Sequence, residues 1–169
     1  MDTKAFFKLS YGVYIVSSVK NGKFNGQIAN TVFQVSADPA LFAISINKQN
    51  LTHEFISSSK SFSISVLCAD VPLTFIGRFG FKSGRTIDKF EGISFDIGKN
   101  SMPCINDYCV AHIVAEVISE TDAATHTLFI GKVIDAKVLN DKEPLTYSDY
   151  HLINGGKTPK SATTYVENK

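Results

Sequence analysis

The stretch "YGVYIVSSVKNGKFNGQIANTVFQVS", residues 11–36, decides the fold. Residues 11–20 read as a strand rich in β-branched and aromatic side chains. Asn21–Gly22 follows. This dipeptide is a strong hairpin signal, because both residues tolerate the positive φ of a type I′ turn. Residues 23–36 then read as the returning strand, which ends at the "ADPA" turn over 37–40. The middle of that strand is unusual. Gln27, Asn30 and Thr31 stand among apolar residues, where a strand with a core to fill would carry aliphatics. Either this is a solvated edge, or something polar and flat lies against it.

Outward from the hairpin, apolar alternation continues. "LFAISIN" (41–47) reads as a buried strand, and "SFSISVL" (61–67) places Phe62, Ile64 and Val66 on one face and serines on the other. "YCVAHIVAEVISE" (108–120) and "HTLFIGKVIDAKVL" (126–139) are long β-rich runs separated by the polar "TDAAT". Two stretches have helical character. "NLTHEFISSS" (50–59) has Leu51, Phe55 and Ile56 at near-helical spacing behind Asn50 as N-cap. "VPLTFIGRFG" (71–80) has Pro72 at the first helical position and a terminating glycine. "FKSGRTIDKFEG" (81–92) reads as a loop with a short turn, and the polar tail "NGGKTPKSATTYVENK" (154–169) as extended or frayed. The fold class is therefore mainly β with a few short helices. Six or more strands suggest a barrel, whose closure removes exposed edges.

Composition bounds the function. The 169 residues suffice for one domain with a core. Hydrophobic residues at 44% against 20% charged fit a globular chain. Seventeen basic and sixteen acidic residues leave a net charge of +1, which gives no footing for a nucleic-acid partner. No apolar run reaches the ~18–20 residues of a membrane span. "MDTKAFFKLSYG" lacks a signal-peptide core, so a cytoplasmic location is expected. The cysteines are Cys68, Cys104 and Cys109; an odd number argues against a disulfide framework, and buried free thiols are the expectation, with no metal site. The dinucleotide fingerprint G-x-G-x-x-G, the phosphate loop G-x-x-x-x-G-K-[ST], H-E-x-x-H and G-x-S-x-G are all absent.

Polar clusters remain. "SINKQNLTHE" (45–54) brings Ser45, Asn47, Lys48, Asn50 and Thr52 to the start of a helix, whose free N–H groups could complete a phosphate cradle; the plainer alternative is a cap and a solvated turn. "SGRTIDKF" (83–90) offers Gly84 for close backbone approach and Arg85 and Lys89 for charge, or else a solvated charged loop. His126, opening a long strand, is either a donor beside a reacting ring or a core histidine. His53 is expected on the exposed side of its helix, and His112 within a strand. Tyr147 and Tyr150 in "PLTYSDYHLINGG" could cover a cofactor edge or another subunit, or simply pack.

These clusters, in this order, resemble the flavin-reductase-like family of FMN-binding split barrels, and within it the branch of flavoredoxins and of the flavin domain of high-molecular-weight rubredoxins. "SYGVYIVSS", "FNGQIANTVFQVS", "SINKQNLTHEFI", "FIGRFGFKSGRTIDKF", "THTLFIGKV" and "PLTYSDYH" carry the resemblance, which runs from about residue 3 to about 164. It implies a homodimer with one FMN per subunit near the dimer interface, in a domain over residues 1–155 followed by a polar tail over 156–169. It implies that Gln27, Ile28, Ala29, Asn30 and Thr31 run along the isoalloxazine ring. Ser45, Asn47, Lys48, Asn50 and Thr52 would hold the phosphate and ribityl chain. Ser83, Gly84, Asp88 and Lys89 would close over the ring or its pyrimidine side. His126, the candidate catalytic residue, would lie beside the ring, and Tyr150 would cap it. The implied activity is hydride transfer from NADH or NADPH, with electrons passed to free flavin or to a rubredoxin- or flavodiiron-type protein. The alternative is an FMN electron carrier between protein partners. The chain departs from the family pattern at the "NKQN" turn, in having no tryptophan, and in having no rubredoxin-like cysteines after its tail, so a rubredoxin is expected either as a separate protein or as a domain beyond this sequence.

Overall fold

The computed structural model describes residues 2–152, 155 and 157–165. β1 (Tyr14–Lys20) and β2 (Lys23–Ala29) form the expected hairpin, with φ of 51° at Asn21 and 72° at Gly22. The return strand, however, is two strands. β3 (Val32–Ala37) leaves β1 and pairs with β4 (Ala40–Asn47). The β1–β2 ladder ends at the pair Tyr14–Ala29, and the chain breaks at Asn30–Thr31, between Ala29 and Val32. On its other side β1 runs on past Tyr14: the Val13 carbonyl accepts from Leu67 N–H at 3.2 Å and the Val13 N–H bonds the Leu145 carbonyl at 3.1 Å.

β5 (Ser61–Leu67), β6 (Phe95–Ile97), β7 (Pro103–Ile105), β8 (Cys109–Ala123) and β9 (His126–Val138) complete the strands. The main sheet runs β2-β1-β5-β8-β9-β4-β3, while β6 and β7 pair separately. Its edges, β2 and β3, are joined by the chain but not by a ladder, so the barrel is split along that line. Every ladder is antiparallel.

β1 and β5 are buried on both faces. Inside the curve, Val16, Ile44, Ile46, Phe62, Ile64 and Phe129 pack around Ile56. Outside it, Ile15 and Leu67 lie under Phe75, Ile76 and Phe79. The serine face of β5 is thus not solvated. Ser63 Oγ donates to the Pro103 carbonyl at 2.5 Å, and Ser65 Oγ accepts from Ile105 N–H at 3.0 Å, so the serines hold β7 across the sheet. Gly131 is required by close approach: a Cβ there would lie 2.7 Å from the Phe62 ring and 2.8 Å from Ala115 Cβ.

The helices are α1 (Leu51–Ser59), α2 (Leu73–Gly80) and α3 (Tyr147–Leu152). Asn50 occupies the N-cap position of α1, yet its side chain makes no cap hydrogen bond. Pro72 stands at the N-cap of α2 rather than at its first helical residue, with φ −66° and ψ 142°. His53 is not on an exposed face. Its Nε2 lies 2.8 Å from Thr127 Oγ1 and its ring 5.3 Å from that of Phe129, so the helix leans on β9 through it. His112 is buried, with Nε2 2.7 Å from the Ile105 carbonyl oxygen.

The three cysteines are free and buried; burial pushes the thiols of Cys68 and Cys104 up to about 11, so they are poor nucleophiles. Among the described residues no His, Cys, Asp and Glu side chains gather as metal ligands, and no helix is long and apolar enough to cross a membrane. The tail is neither extended into solvent nor frayed where it is described: residues 157–165 lie back against α3 and β2. Residues 153, 154, 156 and 166–169 lie outside the described residues.

Candidate functional site

Two adjoining clefts open beside β2. The break after Ala29 makes them: β2 is an edge strand, so its last residues face open space instead of another ladder. The first cleft is walled by Gln27, Ile28 and Ala29 of β2, Asn30 just after it, Ser45 and Asn47 at the end of β4, and His126 at the start of β9. Ile76, Gly80 and Phe81 close its floor, Tyr147 and Tyr150 of α3 its far side, and the tail from Lys157 to Thr163 its roof. Beneath that roof the cavity is ≈ 40 Å³, space for a few waters. The second cleft shares Gln27, Ile28, Gly80, Phe81 and part of the tail with the first, and is larger, at ≈ 270 Å³. It adds Asn25, the first turn of α1 (Asn50, Leu51, Thr52), the loop Lys82–Arg85, and Lys89.

The second cleft is built for an anion. The Asn50 side chain donates its Nδ2–H to Gln27 Oε1 at 3.0 Å instead of turning back onto the helix. The leading N–H groups of α1 therefore have no side-chain cap, and the positive end of the helix faces the cleft. Lys89 is 5% exposed. Its ammonium donates to the Gly26 carbonyl at 2.9 Å and the Phe79 carbonyl at 3.0 Å. An ammonium has three N–H groups, which leaves one for an occupant of the cleft. Burial brings its pKa down to about 8. Arg85 stands at the rim, paired with Glu54.

The first cleft offers amides and rings. Asn30 is buried; its Nδ2–H donates to Thr164 Oγ1 at 2.8 Å, and its Oδ1 accepts from Thr31 at 3.2 Å. The His126 ring is oriented by a 2.8 Å contact between Nδ1 and Thr125 Oγ1. Its Nε2 is buried without a hydrogen bond. Desolvation lowers the His126 pKa, and the nearby Ser161 backbone partly offsets that. The imidazole is thus neutral near pH 7, with the Ser161 backbone beside it. Tyr150 is buried, and its hydroxyl donates to the Lys157 carbonyl at 2.8 Å while accepting from Lys157 N–H at 3.1 Å, which ties the tail to α3. Burial raises its pKa.

The expected residues divide between the clefts. Gln27, Ile28, Ala29, Asn30, Ser45, Asn47, His126 and Tyr150 meet in the first, and Asn50, Thr52, Ser83, Gly84 and Lys89 in the second, to which Gln27 and Ile28 also belong. Ser45 and Asn47 thus sit with His126 rather than with Thr52. Thr31, Lys48 and Asp88 line neither cleft. The Thr31 carbonyl accepts from Ser45 N–H at 3.2 Å. Lys48 pairs with Asp122 across the β8–β9 turn. Asp88 accepts from Phe90 N–H at 2.8 Å and holds its own loop. Asn25, Phe81 and the tail residues 157–159 and 161–163 belong to the walls but were not expected there, while Tyr147, one of the two tyrosines that could cover a cofactor edge, lines the first cleft. Asn25 carried a signal, since it lies two residues before Gln27 on the same strand face. The tail carried none, because only tertiary packing places it.

Residues 6–156 match the flavin reductase like domain. The chain is 50% identical over 169 residues, all of both chains, to a protein of Archaeoglobus fulgidus named ferric-chelate reductase (NAD(P)H). It is 52% identical over 166 residues to the high molecular weight rubredoxin of Moorella thermoacetica, covering 98% of this chain and 72% of that one. Among solved structures, an NADH:FAD oxidoreductase of Streptomyces globisporus C-1027 in complex with NAD and FAD fragments superposes with a TM-score of 0.74 at 26% identity, covering 84% of this chain and 83% of that one.

Proposed function

The chain belongs to the flavin reductase-like family, and from that premise we propose that it is an NAD(P)H-dependent flavin oxidoreductase whose cofactor is FMN. One observation carries this reading: the two clefts are contiguous along β2, one lined by amides and aromatic rings, the other by a buried ammonium and an uncapped helix terminus. That sequence of environments suits a flat ring with a polar rim joined to a phosphate. A micromolar site needs about 8 kcal/mol, which a phosphate cradle and one buried ring face can supply.

Bound flavin would supply the hydride acceptor and the means to pass electrons on. The chain's own residues do the rest. Gln27 and Asn30 would meet the polar rim of the ring, and Lys89 and the first turn of α1 would hold the phosphate. His126 would meet the ring edge, and Phe81 and Tyr150 would keep water away. Reacting atoms must approach within about 3–3.5 Å, so positioning is the protein's main contribution. The electron acceptor in this reading is free flavin or a rubredoxin- or flavodiiron-type protein; the Archaeoglobus relative's name adds a ferric chelate for assay.

The roofed first cleft, at ≈ 40 Å³, admits neither a flavin ring nor a nicotinamide until the tail over it is displaced, so its volume does not separate this reading from the second, an FMN carrier between proteins. The visible spectrum of the purified protein, before and after anaerobic NADH or NADPH, tests both. Bleaching by either supports the reductase. A bound flavin untouched by both leaves only the carrier, and a protein that stays colourless after FMN addition and desalting removes both.

A homodimer is part of the same proposal. The edge strand β3 exposes Phe33 at 49% and Val35 at 48%, an apolar edge that a second copy would cover. Light scattering that returns the mass of one chain for the flavin-loaded protein overturns it.

A further inference from the structure

Asn25 is 2% exposed and lies on β2, two residues before Gln27. Its Nδ2–H donates to Thr52 Oγ1 at 2.7 Å. A hydroxyl that accepts still has a hydrogen to give. Among the described residues the Thr52 hydroxyl takes part in no other hydrogen bond, and Thr52 is 1% exposed, so that hydrogen cannot turn to bulk water. Thr52 lines the second cleft, which gives the hydrogen its outlet. The other end of the same amide faces Gly84. A Cβ at position 84 would lie 2.0 Å from Asn25 Oδ1 and 3.0 Å from its Cγ. Oxygen toward the glycine Cα–H is the orientation such a contact favours, since the reverse would set N–H against C–H. One buried amide therefore touches β2, α1 and the loop over 82–85.

We propose that Asn25 is the positioning residue for the phosphate end of the flavin: it fixes the Thr52 hydroxyl as a donor into the cleft and holds the Gly84 backbone close to the same place. The proposal rests on the flavin reading above. Asn25 acts through its two neighbours. Its amide N–H occupies one acceptor site of the hydroxyl and turns the O–H hydrogen away from Asn25. The absence of a side chain at 84 lets the loop descend onto that amide.

The test compares FMN with riboflavin, the same ring without the phosphate, by fluorescence titration of the full chain. Asn25→Asp keeps the shape, but a carboxylate cannot donate, so the Thr52 hydroxyl turns back to give to it. The FMN Kd should rise at least about ten-fold, the loss expected for one hydrogen bond to a charged group, while riboflavin affinity changes little. In a Thr52→Val background the same substitution should add little. Gly84→Ala, whose methyl group drives Oδ1 aside, should give the same FMN-selective loss and carries the test if Asn25→Asp does not fold. Equal weakening of both flavins in either variant makes Asn25 merely structural and overturns the proposal. An Asn25→Asp effect undiminished by Thr52→Val shows charge acting directly and also overturns it. Wild-type protein that binds neither flavin removes the flavin reading itself, which is a separate failure.

Discussion

Asn50 Nδ2 lies 3.0 Å from Gln27 Oε1, so the residue at the head of α1 bonds across to β2 and leaves its own helix uncapped. A helix terminus gives up about 1 kcal/mol when it lacks a side-chain cap. Here the forgone cap keeps the leading N–H groups open to the second cleft. Asn50→Asp should therefore separate stability from affinity. A carboxylate caps well and favours the positive end of the helix, so thermal stability should hold or rise slightly. The same carboxylate occupies the anion position, and the FMN Kd should rise at least about ten-fold. Calorimetry and fluorescence titration on one preparation check both signs.

Lys89 should give FMN affinity a basic limb. Its ordinary value of 10.5 falls to about 8 in the folded protein. A bound anion favours the charged ammonium, so affinity should weaken as pH rises above about 8, and Lys89→Met should bind weakly with that limb gone. Stability of the flavin-free protein runs the other way. Between about 8 and 10.5 the unfolded chain binds the proton that folded Lys89 has released, so this group adds stability as pH rises through that window. Lys89→Met removes that trend too. Titrations and melts from pH 7.5 upward read the two signs.

His126→Ala should alter the rate of flavin reduction or the flavin's potential more than it alters melting. The hydrogen bond this removes, between His126 Nδ1 and Thr125 Oγ1, is exposed, so its loss costs little. A large fall in melting temperature with unchanged stopped-flow reduction would return His126 to a packing role.

Tyr147→Phe should speed flavin entry. The Tyr147 hydroxyl lies 2.7 Å from Thr158 Oγ1 and 2.9 Å from Thr164 Oγ1, and these contacts help pin the tail over the first cleft. Without them, FMN association measured by stopped-flow fluorescence should quicken several-fold. An unchanged rate would mean that the roof opens elsewhere.

Gly131→Ala should cost about 1–3 kcal/mol by overpacking. Its methyl group would press on the Phe62 ring and Ala115, both fully buried, far from the two clefts. Chemical denaturation should show the loss, with FMN affinity kept in the fraction that remains folded.

What the sequence made legible was mostly local. The Asn21–Gly22 turn carries its own chemistry, and the two flanking strands follow from it. The polar interruption at Gln27 and Asn30 marked the edge where the clefts open. The family resemblance covered nearly the same residues as the matching domain, 6–156. What stayed hidden depended on partners far along the chain. Thr31 and Lys48 look like neighbours of the site in sequence, but Ser45 and Asp122 hold them elsewhere. The break after Ala29 shows only once β3 is seen to pair with β4, whose other neighbour, β9, begins only at His126. The serines of β5 could be placed on one face of their strand, and became the anchors of β7 only once that strand lay across them.

Only Asn30 and Thr31 separate β2 from β3. Three peptide steps from Ala29 to Val32 reach about 10 Å when fully stretched. The lips of the slot are thus tethered at one corner with almost no slack. The first cleft, whose β2 wall ends at this corner, cannot spread there, and since no residue of β3 lines it, any widening has to come from the helices and the tail.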